Sequence, residues 1–99
     1  MAQPTLPEIL VTLRSALPRL VEDYAVSEVG VFGSVVRGDA RPGSDIDILV
    51  DYVEPPTLFE FVRLQRYLTD LLGAPVDLVM KSALKPQIGR RVLAEVVPV

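Results

Sequence analysis

The sequence predicts a small α/β (α+β) domain in which helices pack on a mixed sheet of three or four strands. Short apolar segments alternate along the chain with segments of helical periodicity, and glycines and prolines punctuate the joins. Its 99 residues, 49% hydrophobic and 23% charged, are typical of one small globular unit. We therefore expect residues 1–99 to form one domain with the order α-α-β-α-β-α-β-α.

Two helices are predicted before the first strand. Apolar residues recur at helical spacing from Leu6 to Leu17, which predicts a helix over about Thr5–Ala16. Pro18 cannot donate the hydrogen bond that would continue this helix, but it is suited to open another. A short second helix is therefore expected over Arg19–Tyr24, with Leu20, Val21 and Tyr24 facing inward.

The centre of the chain predicts two strands joined through a short helix. Glu28–Phe32 is a candidate strand, followed by a turn at Gly33-Ser34 and a brief helix over Val35–Arg37. Gly38–Ser44 is rich in turn residues and predicts a loop. Ile46–Tyr52 is apolar apart from its acids, which predicts a central strand.

The remaining elements are a helix, a strand and a helix. Thr57 and Glu60 form a capping-box pattern that predicts a helix start, and Gly73 is placed to end that helix. Its predicted buried stripe consists of Leu58, Phe61, Val62, Leu68, Leu71 and Leu72. Val76–Met80 predicts a third strand. Pro86–Val97 predicts a last amphipathic helix that buries Ile88, Val92, Leu93 and Val96.

Composition excludes several classes of function. The formal charge is −3 and no basic run exceeds Arg90–Arg91, which argues against a nucleic-acid binder. The sequence has no cysteine and no histidine, so thiol chemistry, Ser-His-Asp triads and most zinc sites are ruled out. No segment is long and apolar enough for a membrane span, and no signal-peptide pattern is present, so we expect a cytoplasmic protein.

Three aspartates on apolar strands are the candidate metal ligands. Asp45 and Asp47 are two residues apart, so both project from one face where the second strand begins. An isolated Asp-x-Asp is more often a solvated strand edge. Here the neighbouring residues are apolar, where acids are disfavoured without a partner. If the third strand neighbours the second, Asp77 joins the pair, and a hard divalent cation would offset the repulsion.

Gly33-Ser34 is a candidate anion site. A glycine directly after a strand lets the backbone approach a ligand, and amides that open a short helix favour anions. Taken alone, Gly-Ser is more often an ordinary strand-to-helix turn.

The motif Gly33-Ser34, ten residues, then Asp45-Ile46-Asp47 resembles the signature of the DNA polymerase β-like nucleotidyltransferase superfamily. The longer pattern Phe32–Gly38, with Ser44–Asp47 and Val76–Val79, is similar to the minimal nucleotidyltransferase (MNT) branch. The likeness extends over nearly the whole chain, including the closing helix with Glu95. The expected domain is thus a single minimal nucleotidyltransferase domain spanning residues 1–99.

The resemblance implies nucleotidyl transfer with two Mg²⁺ ions and ATP as donor. Asp45, Asp47 and Asp77 would hold the metals, Asp77 would help activate the acceptor hydroxyl, and Gly33 and Ser34 would hold the phosphates. Arg37 also matches the family pattern, which implies a phosphate contact or an ion pair with the acidic loop, and a surface arginine packed on its helix is an equal alternative. Proteins of this branch resemble antitoxins that transfer AMP to a tyrosine of a HEPN-domain toxin. Since so short a chain has no extra helical domain, a second copy or another protein must hold the acceptor.

Two other functions remain open at this stage. A binding-only antitoxin would cover its toxin through Phe59, Tyr67 or the last helix, although these residues are better explained as parts of a small core. Nucleotidylation of a small molecule needs a larger pocket than about 99 residues enclose.

Overall fold

The computed structural model, which describes residues 3–99, contains one mixed sheet of four strands within that range. The strands are β1 (Val26–Phe32), β2 (Ile46–Tyr52), β3 (Val76–Met80) and the two-residue β4 (Val97–Pro98). Their spatial order is β3-β2-β1-β4. β2 and β3 are parallel, whereas β1 is antiparallel to both β2 and β4. The predicted fold class and mixed sheet are thus confirmed.

Among residues 3–99, one long helix precedes the sheet in the sequence, and the other three helices lie between its strands. The helices are α1 (Leu6–Tyr24), α2 (Ser34–Arg37), α3 (Leu58–Leu72) and α4 (Pro86–Glu95), with a 3₁₀ turn over Lys81–Ala83. Both long helices begin with a capping box, at Thr5 and at Thr57, as predicted for the second. No helix formed by residues 3–99 is long and apolar enough to cross a bilayer.

The core fills the space between α1, α3 and one face of the sheet. Alternate residues of β2 point into it, so Ile46, Ile48 and Val50 are buried against both helices. Stacked rings of Tyr24 and Tyr67, with centroids 5.0 Å apart, join the end of α1 to α3. The opposite sheet face carries Asp47 and is free of these two helices.

The predicted break in the first helical segment is wrong. α1 runs unbroken for 19 residues and contains Pro18. Pro18 is exposed, while Ile9, Leu13, Ala16 and Leu20 are buried on the opposite side. Packing along this face carries the helix past one missing hydrogen bond.

Several predicted burials and bounds also need correction. Leu58 and Val62 are exposed, and Leu64, which the prediction missed, is the central buried residue of α3. Val21 of α1 is exposed as well. The last helix ends at Glu95 because the chain then extends into β4, and its Ile88 and Leu93 are exposed. β1 begins two residues earlier than predicted, at Val26.

Candidate active site

Asp47 and Asp77 lie opposite each other on neighbouring parallel strands. The register pairs Asp47 of β2 with Asp77 of β3, so the condition on which the role of Asp77 depends, that these strands are neighbours, is met. Residues paired directly across two strands project from the same sheet face, and adjacent strands are about 4.8 Å apart, so the two carboxylates lie side by side. Asp45 immediately precedes β2, and the amide of Ile46 donates to the carbonyl of Pro75 at 2.8 Å. Asp47 and Asp77 therefore meet at one edge of the sheet, where their strands begin, and Asp45 is the residue before β2.

Negative charge exceeds positive charge at this edge of the sheet. Burial first, and then the charges of Asp77 and Asp45, raise the pKa of Asp47 from 3.8 to about 6, against a smaller opposing effect of Arg37. Glu95 adds another negative charge within range. Asp45 and Asp77 are both exposed. A cation placed beside these groups would relieve the repulsion.

In the described part of the chain, no three acidic side chains are arranged to hold a metal ion by themselves. The donors present are nevertheless the hard carboxylate oxygens that Mg²⁺ prefers. Mg²⁺ is commonly bound by one or two carboxylates together with substrate phosphates, rather than by a cage made of protein alone. The residues thus fit an ion that arrives with a phosphate ligand.

Gly33 brings the backbone against this acidic edge. Its φ of 81° and ψ of −154° are accessible to glycine alone, and a Cβ atom at this position would overlap the Asp47 carboxylate. The Gly33 carbonyl accepts hydrogen bonds from the amides of Val36 and Arg37, which starts α2. Ser34, the first residue of α2, is half-buried.

The loop before Asp45 is shaped by a tight turn. The amide of Ser44 donates to the Arg41 carbonyl at 2.9 Å, and the Ser44 hydroxyl accepts from the Arg41 amide. Pro42 and Gly43, the latter with φ of 86°, occupy the central positions that a type II turn favours. The side-chain amide of Gln3 also donates to the Ser44 carbonyl at 2.7 Å. These contacts fix where the chain enters β2.

Glu95 is a member of the site for which the sequence predicted no role. One carboxylate oxygen accepts the Gly33 amide at 2.9 Å, and the other accepts Nη1 of Arg37 at 2.8 Å. The bond to Arg37 and then the bond to Gly33 lower the pKa of Glu95, while Glu95 is the main cause that raises the pKa of Arg37. The sequence contains one signal: an acid at the end of a helix, where cations are favoured.

Arg37 makes ion pairs on two sides. Besides Glu95, its Nε lies 3.4 Å from Asp39, so the predicted pair with the acidic loop is present. About half of the Arg37 side chain remains exposed (53%), which leaves the guanidinium accessible to an incoming anion. Its predicted contact with phosphate stays a prediction.

Comparison with known proteins places this arrangement in a family. The nucleotidyltransferase domain model matches residues 12–98. The chain is 54% identical over 97 residues to protein adenylyltransferase MntA of Thermococcus cleftensis, covering 98% of each chain. A solved structure of a candidate minimal nucleotidyltransferase superposes with a TM-score of 0.81 at 39% identity, covering all of both chains.

A more distant solved structure shares the fold. It is the complex of a tri-AMPylated Shewanella oneidensis HEPN toxin with an MNT antitoxin, matched with a TM-score of 0.66 at 20% identity. The alignment covers 91% of this chain and 70% of the matched chain.

The chain belongs to the nucleotidyltransferase domain family. The resemblance to the minimal branch, inferred from the Gly-Ser and Asp-x-Asp motifs, is confirmed, and the protein is an enzyme of the nucleotidyltransferase class.

Proposed function

We propose that this nucleotidyltransferase transfers AMP from ATP to a tyrosine hydroxyl of a HEPN-domain toxin and so acts as its antitoxin. The observation that supports the proposal is the pairing of Asp47 with Asp77 on neighbouring strands, with Asp45 immediately before β2 and the glycine loop at Gly33-Ser34 beside Asp47. Similarity along the full chain to a protein adenylyltransferase supports the adenylyl group and the protein acceptor. The fold shared with an MNT antitoxin, solved with an AMPylated HEPN toxin, supports the partner.

We assign each residue of the site a role from its position. Gly33 and Ser34 hold the β- and γ-phosphates, and Arg37, half exposed at the same loop, adds a charge-assisted contact. Asp45 and Asp47 bind Mg²⁺ that accompanies the triphosphate, and Asp77 completes the site for a second ion. The bound ions supply neutralisation of the charge on the attacking and leaving oxygens.

The transfer of AMP requires one proton to move. The tyrosine oxygen forms a bond to the α-phosphorus as the bond between that phosphorus and the bridging oxygen breaks, and pyrophosphate leaves. The hydroxyl proton passes to Asp77, which is exposed and opposite Asp47. Positioning and charge stabilisation dominate this chemistry, so an enzyme without histidine can perform it. ATP in the cytoplasm would be the AMP donor, in line with the expected location of the protein.

We place the acceptor in a groove on the sheet face that carries Asp47. A groove of about 380 Å³ includes Gly30 and Leu49, a pair that lies two residues along the strands from Phe32 and Asp47. Two residues of strand span about 7 Å, so the groove begins close to the acidic edge. Its lining is mainly apolar, which suits an aromatic side chain presented by another protein.

The test is AMP transfer in a purified system. The enzyme, Mg²⁺, ATP and a HEPN-domain partner protein from the same source are combined, and intact mass spectrometry follows addition of AMP to the partner. We expect AMP on a tyrosine with wild type, and a loss of about 100-fold or more with Asp45→Ala and Asp77→Asn. Asp70→Asn, an exposed acid on α3, is the charge-matched control and should retain full activity. An unmodified partner with the wild-type enzyme would reject the proposal.

A binding-only antitoxin is the second candidate, favoured by one surface. Leu58 and Phe59 at the start of α3 are 79% and 77% exposed, and Val53, in the preceding loop, is 70% exposed. Exposed apolar groups of this kind commonly mark protein contacts. If coverage alone neutralises the toxin, Asp45→Ala will neutralise as well as wild type and Phe59→Ser will not. If AMP transfer neutralises the toxin, Asp45→Ala will fail to neutralise it.

A further inference from the structure

We propose that Glu95 is an internal anion that competes with the triphosphate of the nucleotide for Gly33 and Arg37. This inference rests on the proposed function, which assigns these two groups to the phosphates. In the structure, a single carboxylate engages both, at 2.9 Å from the Gly33 nitrogen and 2.8 Å from Nη1 of Arg37. Glu95 thus holds the donors that the proposal gives to the substrate.

The two anions exclude each other for reasons of donors and charge. Gly33 has one amide proton, and the Glu95 oxygen receives it within normal hydrogen-bond length. A phosphate oxygen at the same proton would lie in contact with the carboxylate, and two negative charges at such a distance repel strongly. Binding of the triphosphate at Gly33 therefore requires the Glu95 side chain to move away.

The position of Glu95 in its helix argues that the site, and not the helix, holds the carboxylate. Glu95 is the last residue of α4, where the helix dipole disfavours negative charge, and the final turn contains no basic residue. Arg37 is the main stabilising partner, and Arg91 contributes the weakest of the favourable effects. An acid that is disfavoured by its own helix is readily exchanged for a stronger anion.

Displacement needs no rearrangement of the fold. The backbone on both sides of Glu95 is fixed, since α4 precedes it and the amide of Val96 donates to the carbonyl of Val92 at 2.8 Å. The Glu95 side chain is 22% exposed, so solvent is available to a rotated carboxylate. The competition therefore lowers nucleotide affinity without a change in helix or sheet.

The experiment compares Glu95→Gln and Glu95→Ala with wild type by isothermal titration calorimetry, using Mg²⁺-ATP and inorganic tripolyphosphate, without partner. We expect both variants to bind both probes about fivefold more tightly, since one partly exposed ion pair need no longer be broken. Glu28→Gln is the matched control: Glu28 pairs with Lys81 at the same 2.8 Å, at the other end of β1. It changes the net charge equally and should leave both affinities near those of wild type.

The other outcomes overturn the inference. Unchanged binding would mean that Glu95 does not compete, and weaker binding, as expected for Arg37→Ala, would make it a positioning residue. Absence of binding for either probe in every folded variant, checked by circular dichroism, would reject both the competition and the proposed phosphate site. Tighter binding without AMP transfer to the partner would uphold the competition and reject the proposed function.

Discussion

The carboxylate of Asp47 packs against the backbone of Gly33, in the space that a side chain at position 33 would fill. The two residues belong to different elements, the loop after β1 and the second residue of β2, and the register places Phe32 beside Asp47. The close approach of Gly33 to Asp47 therefore depends on the absence of a side chain at position 33 as well as on the backbone angles of Gly33.

Gly33→Ala should be more damaging than an ordinary glycine substitution. The new methyl group would both strain the backbone and displace Asp47, so we expect a loss of about 2 to 3 kcal/mol in the free energy of unfolding. Urea denaturation measures this loss. Gly38→Ala is the control, because Gly38 has a similar φ of 84° but no atom within 4 Å of an added Cβ. Its loss should be about 1 to 2 kcal/mol, and equal losses at both positions would contradict the role of Asp47.

Asp47→Asn should stabilise the protein at neutral pH. The folded state raises the pKa of Asp47 from 3.8 to about 6, so the native protein holds this proton more tightly than the unfolded chain. The contribution of Asp47 to the free energy of unfolding therefore falls as the pH rises from about 4 to 6, and it stays low above that range. The shift corresponds to roughly 3 kcal/mol, and screening of a partly exposed group reduces it to about 1 kcal/mol.

Thermal melts between pH 4 and pH 8 test this expectation. The gain from Asp47→Asn should be close to zero at pH 4 and complete by pH 7. Asp70→Asn on the exposed side of α3 controls for net charge and should show no such dependence. A neutral or destabilising effect of Asp47→Asn at pH 7 would show that the carboxylate is not under electrostatic strain.

Pro18→Ala should stabilise α1. Alanine restores the amide that donates to the Arg14 carbonyl and relieves a helical penalty of about 3 kcal/mol. A more flexible unfolded chain offsets about 1 kcal/mol of this gain, so we expect a net increase of about 1 to 2 kcal/mol by urea denaturation. Pro86→Ala is the control because proline suits the first position of α4. A comparable gain at position 86 would assign the effect to the unfolded state.

Local sequence rules predict those parts of the candidate site that depend on neighbouring residues. Asp45 and Asp47 were placed on one face by the two-residue period of a strand, and Asp77 followed once β3 paired with β2. The capping box at Thr57 and the left-handed Gly73 likewise marked the ends of α3. These features depend on a few neighbouring residues, so they can be predicted without knowledge of the tertiary structure.

Features that depend on distant residues were missed or wrong. Glu95 meets Arg37 across 58 positions and Gly33 across 62, and no local pattern encodes such a contact. The chemistry of Pro18 predicts a break between two helices, but burial of Leu13 and Leu20 on the far side of α1 outweighs that preference. Leu58 is exposed although the predicted stripe includes it, and Leu64 is buried although the stripe omits it. The reason is that the sheet and α1, rather than periodicity alone, determine which side of α3 is covered.

The long sequence separation between Gly33 and Glu95 also bears on the order in which the molecule folds. Contacts between distant positions form after the entropy of closing a long loop has been overcome, whereas the α1, β1 and β2 segments are neighbours along the chain. We therefore expect the first half of the sheet to form early and the glycine loop to gain its carboxylate partner among the last events. Changes at position 95 should then alter the unfolding rate and leave the folding rate almost untouched.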